Sequence, residues 1–374
     1  MSYLDKILKK NQDRKKDNSF RTLLVKEGLI DFFSNDYLGF ARSKELHADI
    51  QAKELAADLA ICNGSTGSRL LSGNSDLAQS VEKYLANFFN TEAALIFNSG
   101  YAANVGVLSA LAQKGDTILY DELIHASLKD GARISFADRI SFKHNNLEDF
   151  EYKIQKAKGD VFVVVESIYS MDGDKARLKE ICAIAKKYNA CVIVDEAHST
   201  GIYGINGQGL VCEEQLSDQV DIRIHTFGKA MGIHGACVVG STNVIEYLIN
   251  FSRSFIYTTA FSPHSFFSIQ AAFERVQHSA EIIKTLHASI QNVSTGLSAY
   301  QGYIKSSSPI QVLKFEDTET VKRVSASIQS AGFDVRPILS PTVKKGEERL
   351  RICVHAYNTE TQIQTLLETL RINL

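Results

Sequence analysis

The stretch VIVDEAHSTG, residues 192–201, places an acid and a histidine directly after an apolar run. Its DEAH letters are typical of helicase-type ATPases, in which acids at a strand end bind magnesium. Asp195 and His198 also suit a different task, because an acid at a buried strand end and a histidine three residues later can hold an aromatic cofactor. The two hypotheses predict different partner residues elsewhere in the chain.

The ATPase hypothesis requires a phosphate-binding loop of the form G-x-x-x-x-G-K-[ST]. The only Gly-Lys pair in the chain is Gly228–Lys229, which alanine follows, and Arg223 stands where the first glycine is needed. The pair also comes after DEAH rather than before it. The formal net charge is -2, with basic and acidic residues interspersed, so no large basic face for nucleic acid is indicated. The sequence therefore excludes the ATPase.

Lys229 supports the cofactor hypothesis. It follows the strand-like run IRIHT and lies among small and apolar residues in FGKAMG. Desolvation at such a position favours the free amine that can attach covalently to a carbonyl group. A single loop lysine is more often a solvated surface group, and a strand-end aspartate is often held by backbone amides alone. The combination of Lys229 with Asp195 and His198 is what favours cofactor binding, with a protonated pyridine nitrogen as the partner of Asp195.

Further polar groups follow other strand-like runs. His125 in DELIHASL has a flat ring that can stack on a cofactor, although a lone histidine there is weak evidence. Residues 99–101 (SGY) open a helical segment, and backbone N–H groups at a helix start bind phosphate. Thr226, three residues before Lys229, offers a hydroxyl to the same phosphate.

The apolar pattern predicts an α/β fold. Near-continuous Val/Ile runs alternate with helical patterns, which indicates a mainly parallel sheet between helices, with ligands at the carboxyl ends of the strands. The seven predicted strands are 93–97, 117–120, 139–143, 161–166, 191–195, 222–226 and 236–240. A long helical stretch over 262–300 and strands at 310–315, 333–338 and 349–354 predict a smaller α/β domain. We expect an N-terminal arm (1–45), a large domain (46–260) and a small C-terminal domain (261–374).

Composition narrows the class of protein further. The chain has 374 residues and six scattered cysteines without a C-x-x-C pair, which favours buried free thiols over a metal site or disulfide framework. No segment is apolar enough for a signal peptide or membrane span, so we expect a cytoplasmic protein. The arm carries an apolar stripe that is expected to pack on its own or a partner subunit, with membrane-surface binding as the alternative; the stripe consists of Tyr3, Leu4, Ile7 and Leu8.

Five sequence blocks together resemble a known family. NSGYAAN, DELIHASL, ESIYSMDGD, VDEAHSTG and HTFGKAMG, in this order, are similar to blocks of the α-oxoamine synthases. These are pyridoxal 5'-phosphate (PLP) enzymes of fold type I, the aspartate-aminotransferase fold, and the resemblance extends from SNDYLGF (34–40) to RLRICVHA (349–356). It implies a large domain with a mainly parallel seven-stranded sheet, a smaller α/β C-terminal domain, and PLP as the cofactor.

The resemblance also implies a role for individual residues. Lys229 would hold PLP covalently and move protons at the substrate's α-carbon, Asp195 would pair with the pyridinium nitrogen, and His198 with the phenolic oxygen. His125 would stack on the ring and assist as an acid. Cofactor contacts are implied for Gly100, Tyr101, Ser170, Thr226, Thr258 and Thr259, and substrate contacts for Arg21, Asn35, Thr342 and Arg351. Thr258 or Thr259 would reach the neighbouring subunit's phosphate, which implies a homodimer with the active site at its interface. No metal is implied.

Four branches of this family differ in their substrates. The short N-terminus and the blocks FFSNDYLGF, FKHNN and RSFIYTTAFSP are most similar to the biotin-pathway branch. That branch condenses L-alanine with a pimeloyl thioester, on CoA or a carrier protein, to give 8-amino-7-oxononanoate, CO2 and free thiol. The segment CNGSTGSRLLSGN (62–74) is closer in style to the other branches. Three other reactions therefore stay open: condensation of glycine with acetyl-CoA, synthesis of 5-aminolevulinate, and condensation of serine with palmitoyl-CoA. A signal- or lipid-synthesising relative remains an alternative, whereas a silent partner subunit would lack the lysine. Glu196 has no role in this scheme.

Overall fold

A computed structural model describes residues 1–17, 19–23, 25, 27–57 and 63–374. Cys62, the first residue of the CNGSTGSRLLSGN segment, lies outside the described residues. The chain forms two compact units. The first consists of Met1–Ser34, Met171–Gly173 and His287–Leu374, and the second of Asn35–Ser170 and Asp174–Leu286.

The secondary structure alternates strands and helices. The strands are β1 (Ile30–Asp31), β2 (Ala93–Phe97), β3 (Thr117–Asp121), β4 (Asp138–Phe142), β5 (Val161–Glu166), β6 (Cys191–Asp195), β7 (Ile222–Thr226), β8 (Ala236–Gly240), β9 (Tyr303–Ile304), β10 (Ile310–Lys314), β11 (Phe333–Asp334), β12 (Arg336–Ile338) and β13 (Arg349–Cys353). The α-helices are α1 (Tyr3–Lys16), α2 (Lys44–Ala56), α3 (Asp76–Phe88), α4 (Gly100–Leu111), α5 (Ala126–Ile134), α6 (Leu147–Ile154), α7 (Leu178–Lys187), α8 (Leu210–Glu213), α9 (Thr242–Phe251), α10 (Arg253–Ile256), α11 (Pro263–Gln277), α12 (Ala280–Leu297), α13 (Thr318–Ser330) and α14 (Glu360–Asn373).

The second unit contains the predicted seven-stranded sheet. Its order is β2-β8-β7-β6-β5-β3-β4, and all strand pairs are parallel except the two that β8 makes with β2 and β7. The central strands are buried over nearly their whole length, which explains why their sequences are continuous apolar runs rather than alternating ones. The predicted sheet is confirmed, with each strand end within one residue of its predicted position.

The predicted helical stretch over 262–300 is two helices, α11 and α12. The first ends because the Ser279 side chain donates to the Arg275 carbonyl at 2.8 Å and the Ser279 amide turns to Val276 at 3.0 Å. Helix α11 packs against α2 and α3, and the compact second unit extends to Leu286. The division into arm, large domain and small domain stays a prediction.

The first unit contains a four-stranded antiparallel sheet, in the order β12-β13-β10-β9, and the parallel pair β1-β11. The predicted strand 333–338 is therefore two strands in different sheets. They separate at Val335, whose amide bonds back to the Phe333 carbonyl at 3.1 Å instead of continuing the ladder. Helix α1 contains no buried residue, so its apolar stripe is exposed in the single chain. Among the described residues, no helix is long and apolar enough to cross a membrane.

One ion pair anchors the SRLLSGN segment to the second unit. Both terminal nitrogens of Arg69 donate to the carboxylate of Glu82 at 2.8 Å, and the two side chains are only 10% and 12% exposed. Glu82 also accepts the amide of Ile96 in β2 at 2.9 Å, and Arg69 donates to Asn74 at 2.9 Å. The segment is thereby tied both to α3 and to the edge strand.

We predict that Glu82→Ala lowers the free energy of unfolding by about 3 kcal/mol, because it leaves the buried charge of Arg69 without its partner. Urea unfolding would measure the change. Glu281→Ala is the control: that side chain is 88% exposed, and the unfolding midpoint should not move because exposed ion pairs contribute little. Equal midpoints for the two variants would contradict the role given to the buried pair.

Candidate active site

A hydrogen-bonded chain of side chains begins at Lys229. Its Nζ lies 2.8 Å from Nε2 of His198, and Nδ1 of His198 lies 2.8 Å from the hydroxyl of Tyr37. Tyr37 in turn donates to Oδ1 of Asn35 at 3.0 Å. Because the Tyr37 proton goes to Asn35, the proton between Tyr37 and His198 belongs to Nδ1, which leaves Nε2 to accept from the amine of Lys229. The chain orients that amine.

The loop that carries His198 must pass very close to the loop that carries Lys229. Gly201 has φ +84, and a Cβ added there would lie 3.1 Å from the Cβ of Ala230 and 3.0 Å from Sδ of Met231. A glycine meets both demands, since it adopts the left-handed region without strain and leaves room for the neighbouring chain. The glycine of DEAHSTG therefore permits the contact between His198 and Lys229.

Asp195 ends β6 with its side chain 5% exposed. Its Oδ1 accepts the amide of Ala197 at 2.9 Å, and its Oδ2 accepts Nδ2 of Asn104 at 2.8 Å. Asn104 lies in α4 and also donates to the hydroxyl of Ser127 at 2.9 Å. The carboxyl group is thus held in one orientation from two sides, with only one of the two donors supplied by its own loop.

His125 caps the N-terminus of α5. Its Nδ1 accepts the amide of Ser127 at 3.2 Å, and its own amide donates to the carboxyl of Glu166. Partial removal from solvent lowers the pKa of the His125 ring; the nearby Asp195 carboxyl raises that pKa and the Lys229 amine lowers it. The lowered pKa favours the neutral form of the ring, and His125 is exposed in the single chain, so the ring offers an open aromatic face.

The start of α4 faces Thr226. Ser99 is the N-cap residue, and a Cβ added to Gly100 would lie 3.1 Å from Oγ1 of Thr226. Free backbone N–H groups at the start of this twelve-residue helix therefore lie next to a hydroxyl at the end of β7. The neighbouring Asn98 side chain donates to the carbonyl of Thr259 at 3.0 Å. This arrangement is suited to an anion such as phosphate.

The remaining predicted residues divide between the two units. Tyr101 is half exposed and its hydroxyl donates to Asp130 at 2.8 Å, so its ring has a fixed direction. Thr258 lines a small hollow of the second unit. In the first unit, Arg21 donates to the hydroxyl of Thr342 at 3.1 Å, and the buried Arg351 in β13 donates to Sγ of Cys353 at 2.9 Å. The structure brings Arg21 and Thr342 together although 321 positions separate them.

Sequence reasoning missed three residues that support the site. Tyr37 and Asn104 lie inside the quoted blocks SNDYLGF and NSGYAAN, and Glu166 begins ESIYSMDGD. Asn104 had a usable signal, because it is an amide in an otherwise apolar helical segment. Glu166 also had a signal in the sequence, because it is the acid that ends the apolar run VFVVVE, just as Asp195 ends CVIVD.

Glu196, which had no predicted role, proves to be structural. It is fully buried, and its carboxyl accepts the amides of Leu210 at 3.0 Å and Val211 at 2.8 Å, together with the hydroxyl of Ser199. Burial raises the pKa of Glu196, and these donors oppose that rise. The acid that makes this loop look like DEAH therefore fixes the start of α8.

Known proteins are similar to this chain over most of its length. The family model for aminotransferases of class I and II matches residues 27–370. The chain belongs to the aminotransferase class I and II family. Two curated relatives are the 8-amino-7-oxononanoate synthase of Emericella nidulans, 40% identical over 91% of this chain and 88% of the relative, and 8-amino-7-oxononanoate synthase 2 of Bacillus subtilis (strain 168), 39% identical over 90% and 86%.

A solved structure of the same family also superimposes along the whole chain. Serine palmitoyltransferase from S. paucimobilis, with a bound PLP–myriocin aldimine, matches with a TM-score of 0.89 and 28% identity over 100% of this chain and 98% of that one. The predicted fold and the predicted resemblance to the α-oxoamine synthases within the aminotransferase family are thereby confirmed.

We predict that Glu196→Ala lowers the free energy of unfolding by about 3 kcal/mol or more, because two buried amides lose their acceptor. Thermal unfolding followed by circular dichroism would measure the change. Glu213→Ala is the matched control, since Glu213 lies at the other end of α8 with its side chain 44% exposed. A melting temperature for Glu196→Ala equal to that of the control would show that the buried carboxyl does not hold α8.

Proposed function

We propose that this chain is a PLP-dependent acyltransferase that condenses L-alanine with a pimeloyl thioester. The reaction gives 8-amino-7-oxononanoate, CO2 and the free thiol of CoA or a carrier protein, a step of biotin biosynthesis. The observation that carries the chemistry is the contact of Lys229 with His198 at 2.8 Å, beside the buried carboxyl of Asp195. The choice of substrates is supported by relatives of that name at about 40% identity.

The residues of the second unit fit PLP. Lys229 supplies the amine for the covalent link, Asp195 an acceptor for a pyridinium N–H, and His198 a ring nitrogen that would pair with the phenolic oxygen. The neutral ring of His125 can stack on the pyridine ring. Phosphate would be held by the start of α4 with Gly100, Tyr101 and Thr226, while Ser170 would contact cofactor or substrate. When bound, PLP withdraws electrons from the carbon beside the substrate's amino group, which makes a carbanion accessible there.

The protein's own groups would then carry out four tasks. The amine of Lys229, oriented by His198, removes the proton from the α-carbon of alanine and later returns one. The planar fork of Arg351 binds the alanine carboxylate through two parallel hydrogen bonds. Asn35, Arg21 and Thr342 would contact the substrates. His125 would assist by donating a hydrogen bond from its ring N–H to the developing oxygen charge as the thioester is attacked.

The condensation of alanine with the thioester needs no further reactant. The α-carbon of alanine forms a C–C bond to the thioester carbonyl carbon, and the C–S bond breaks to release the thiolate, which takes a proton. The carboxylate of the resulting β-keto acid leaves as CO2, and its bonding electrons stay on the α-carbon. A proton then adds to that carbon, which gives the amino ketone.

The protein is also proposed to act as a homodimer in a reducing compartment. A homodimer is proposed in which Thr258 or Thr259 of one subunit contacts the cofactor phosphate of the other. Four described cysteines have free thiols, namely Cys182, Cys191, Cys212 and Cys237, which supports work in a reducing compartment such as the cytoplasm. Among the described residues, no group of His, Cys, Asp and Glu side chains could hold a metal ion.

A second candidate function is serine palmitoyl transfer. Its support is the match to serine palmitoyltransferase over the whole chain. That match has 28% identity, against 40% for the relative from Emericella nidulans. Condensation of glycine with acetyl-CoA is the further alternative. The two differ from the proposed reaction in amino acid and acyl chain, not in the chemistry at Lys229.

We predict that Lys229→Ala reduces turnover to near zero, because the amine that forms the covalent link and moves the proton is missing. The variant should keep the circular dichroism spectrum and oligomeric state of the wild type, measured by light scattering. Turnover by Lys229→Ala at the wild-type rate would refute the proposed role of Lys229.

A substrate panel tests the specificity. Purified protein would be given alanine, glycine or serine with pimeloyl, acetyl, succinyl or palmitoyl thioesters, and thiol release would be recorded. Alanine with the pimeloyl thioester should give the highest kcat/KM. Preference for glycine with acetyl-CoA or serine with palmitoyl-CoA would move the protein to another branch of the family.

A further inference from the structure

Glu166 is a buried acid that the proposed reaction does not use. It is the last residue of β5, it is 2% exposed, and it lies opposite Asp195 in the parallel register of β5 and β6. Its carboxyl accepts the backbone amide of His125, in the loop after β3, and that of Ser170, in its own loop. One carboxyl group therefore joins the backbones of two loops that carry proposed site residues.

The bonds of Glu166 define what it can do. Its oxygens are directed at backbone amides that do not exchange their protons during a reaction, and the side chain is closed to solvent. It is therefore not placed to transfer a proton to a substrate. What it can do is fix the backbone of His125, whose ring direction then follows from its bonds to Ser127.

We propose that Glu166 is a positioning residue of the cofactor site, which holds the loops of His125 and Ser170 at the strand ends beside Asp195. This inference rests on the proposed function, since it assigns the loops to a PLP site. In the free protein, Glu166 keeps the face on which the cofactor ring would stack in place before the cofactor arrives.

The electrostatic surroundings of Glu166 favour its neutral form. Burial raises the pKa of Glu166 to about 8, and the Asp195 carboxyl adds to that rise, while the Lys229 amine and the amides of His125 and Ser170 oppose it. Two neighbouring strand ends thus carry two acids, of which Glu166 holds a proton at neutral pH. Its carbonyl oxygen can still accept the amides in that form.

The first test compares cofactor affinity between two buried glutamates. Apo forms of wild type, Glu166→Ala and Glu196→Ala would be titrated with PLP and followed by absorbance. Glu166→Ala should weaken PLP binding at least 10-fold and raise the KM for alanine more than it lowers kcat. Glu196→Ala also leaves two buried amides without an acceptor, but those of α8, so its PLP affinity should stay within threefold of the wild type.

The second test uses Glu166→Gln, which keeps the shape of the neutral acid. The folded protein binds a proton at Glu166 between the ordinary pKa of 4.5 and about 8, whereas the unfolded chain does not. The stability that this proton gives the wild type is present below pH 4.5 and is lost as pH rises through 8. Glu166→Gln should therefore match the wild type in PLP affinity at pH 7. The melting temperature of Glu166→Gln minus that of the wild type should increase from pH 5 to pH 9.

Each outcome bears on the proposal. PLP affinity of Glu166→Ala within threefold of the wild type would overturn it, and so would an equal loss of PLP affinity in Glu196→Ala, which would show a general effect of destabilisation. If Glu166→Ala does not fold, a 10-fold or larger loss of PLP affinity in Glu166→Gln at pH 7 would overturn it, because that variant keeps an oxygen that can accept both amides. A wild type that binds no PLP would overturn both proposals, whereas one that binds PLP but rejects alanine and pimeloyl thioester would overturn only the proposed substrates.

Discussion

Two acids stand side by side at the carboxyl ends of neighbouring buried strands, Glu166 on β5 and Asp195 on β6, and each must be hydrogen-bonded because an unpaired buried carboxyl is costly. The donors come from elements far apart in the sequence. Asn104 reaches Asp195 from α4, and the amide of His125 reaches Glu166 from the loop after β3. The hydrogen bonds to these two acids therefore fix α4 and the loop after β3 beside the ends of β5 and β6.

The loop that follows Asp195 orients the reactive amine of Lys229. The loop after Asp195 turns back at Gly201, passes against Ala230 and presents His198 to Lys229. Tyr37 closes the chain of hydrogen bonds on the far side of His198. Lys229 is thus oriented by a chain of hydrogen bonds, which suits an amine that must form a covalent link and then move a proton at one carbon.

The sequence predicts the strand positions well, because buried parallel strands leave continuous apolar runs. Polar residues stand out at the ends of those runs, and the roles given to them stay a prediction. The sequence predicts poorly whatever depends on a partner distant in the sequence. The bond from Asn104 to Asp195, the support of His125 by Glu166 and the hold of Glu196 on α8 all required the fold. The separation of β11 from β12 was likewise missed, because the alternating apolar and charged residues of FDVR continue through Val335 as in a single strand.

The covalent role of Lys229 is the central claim, and peptide mapping after borohydride reduction tests it most directly. The protein would be incubated with PLP, reduced, digested and analysed by mass spectrometry. The account predicts a pyridoxyl group on the peptide that contains Lys229 and on no other lysine. A pyridoxyl group at a different lysine, or none at Lys229 after reduction of the PLP-treated protein, would contradict it.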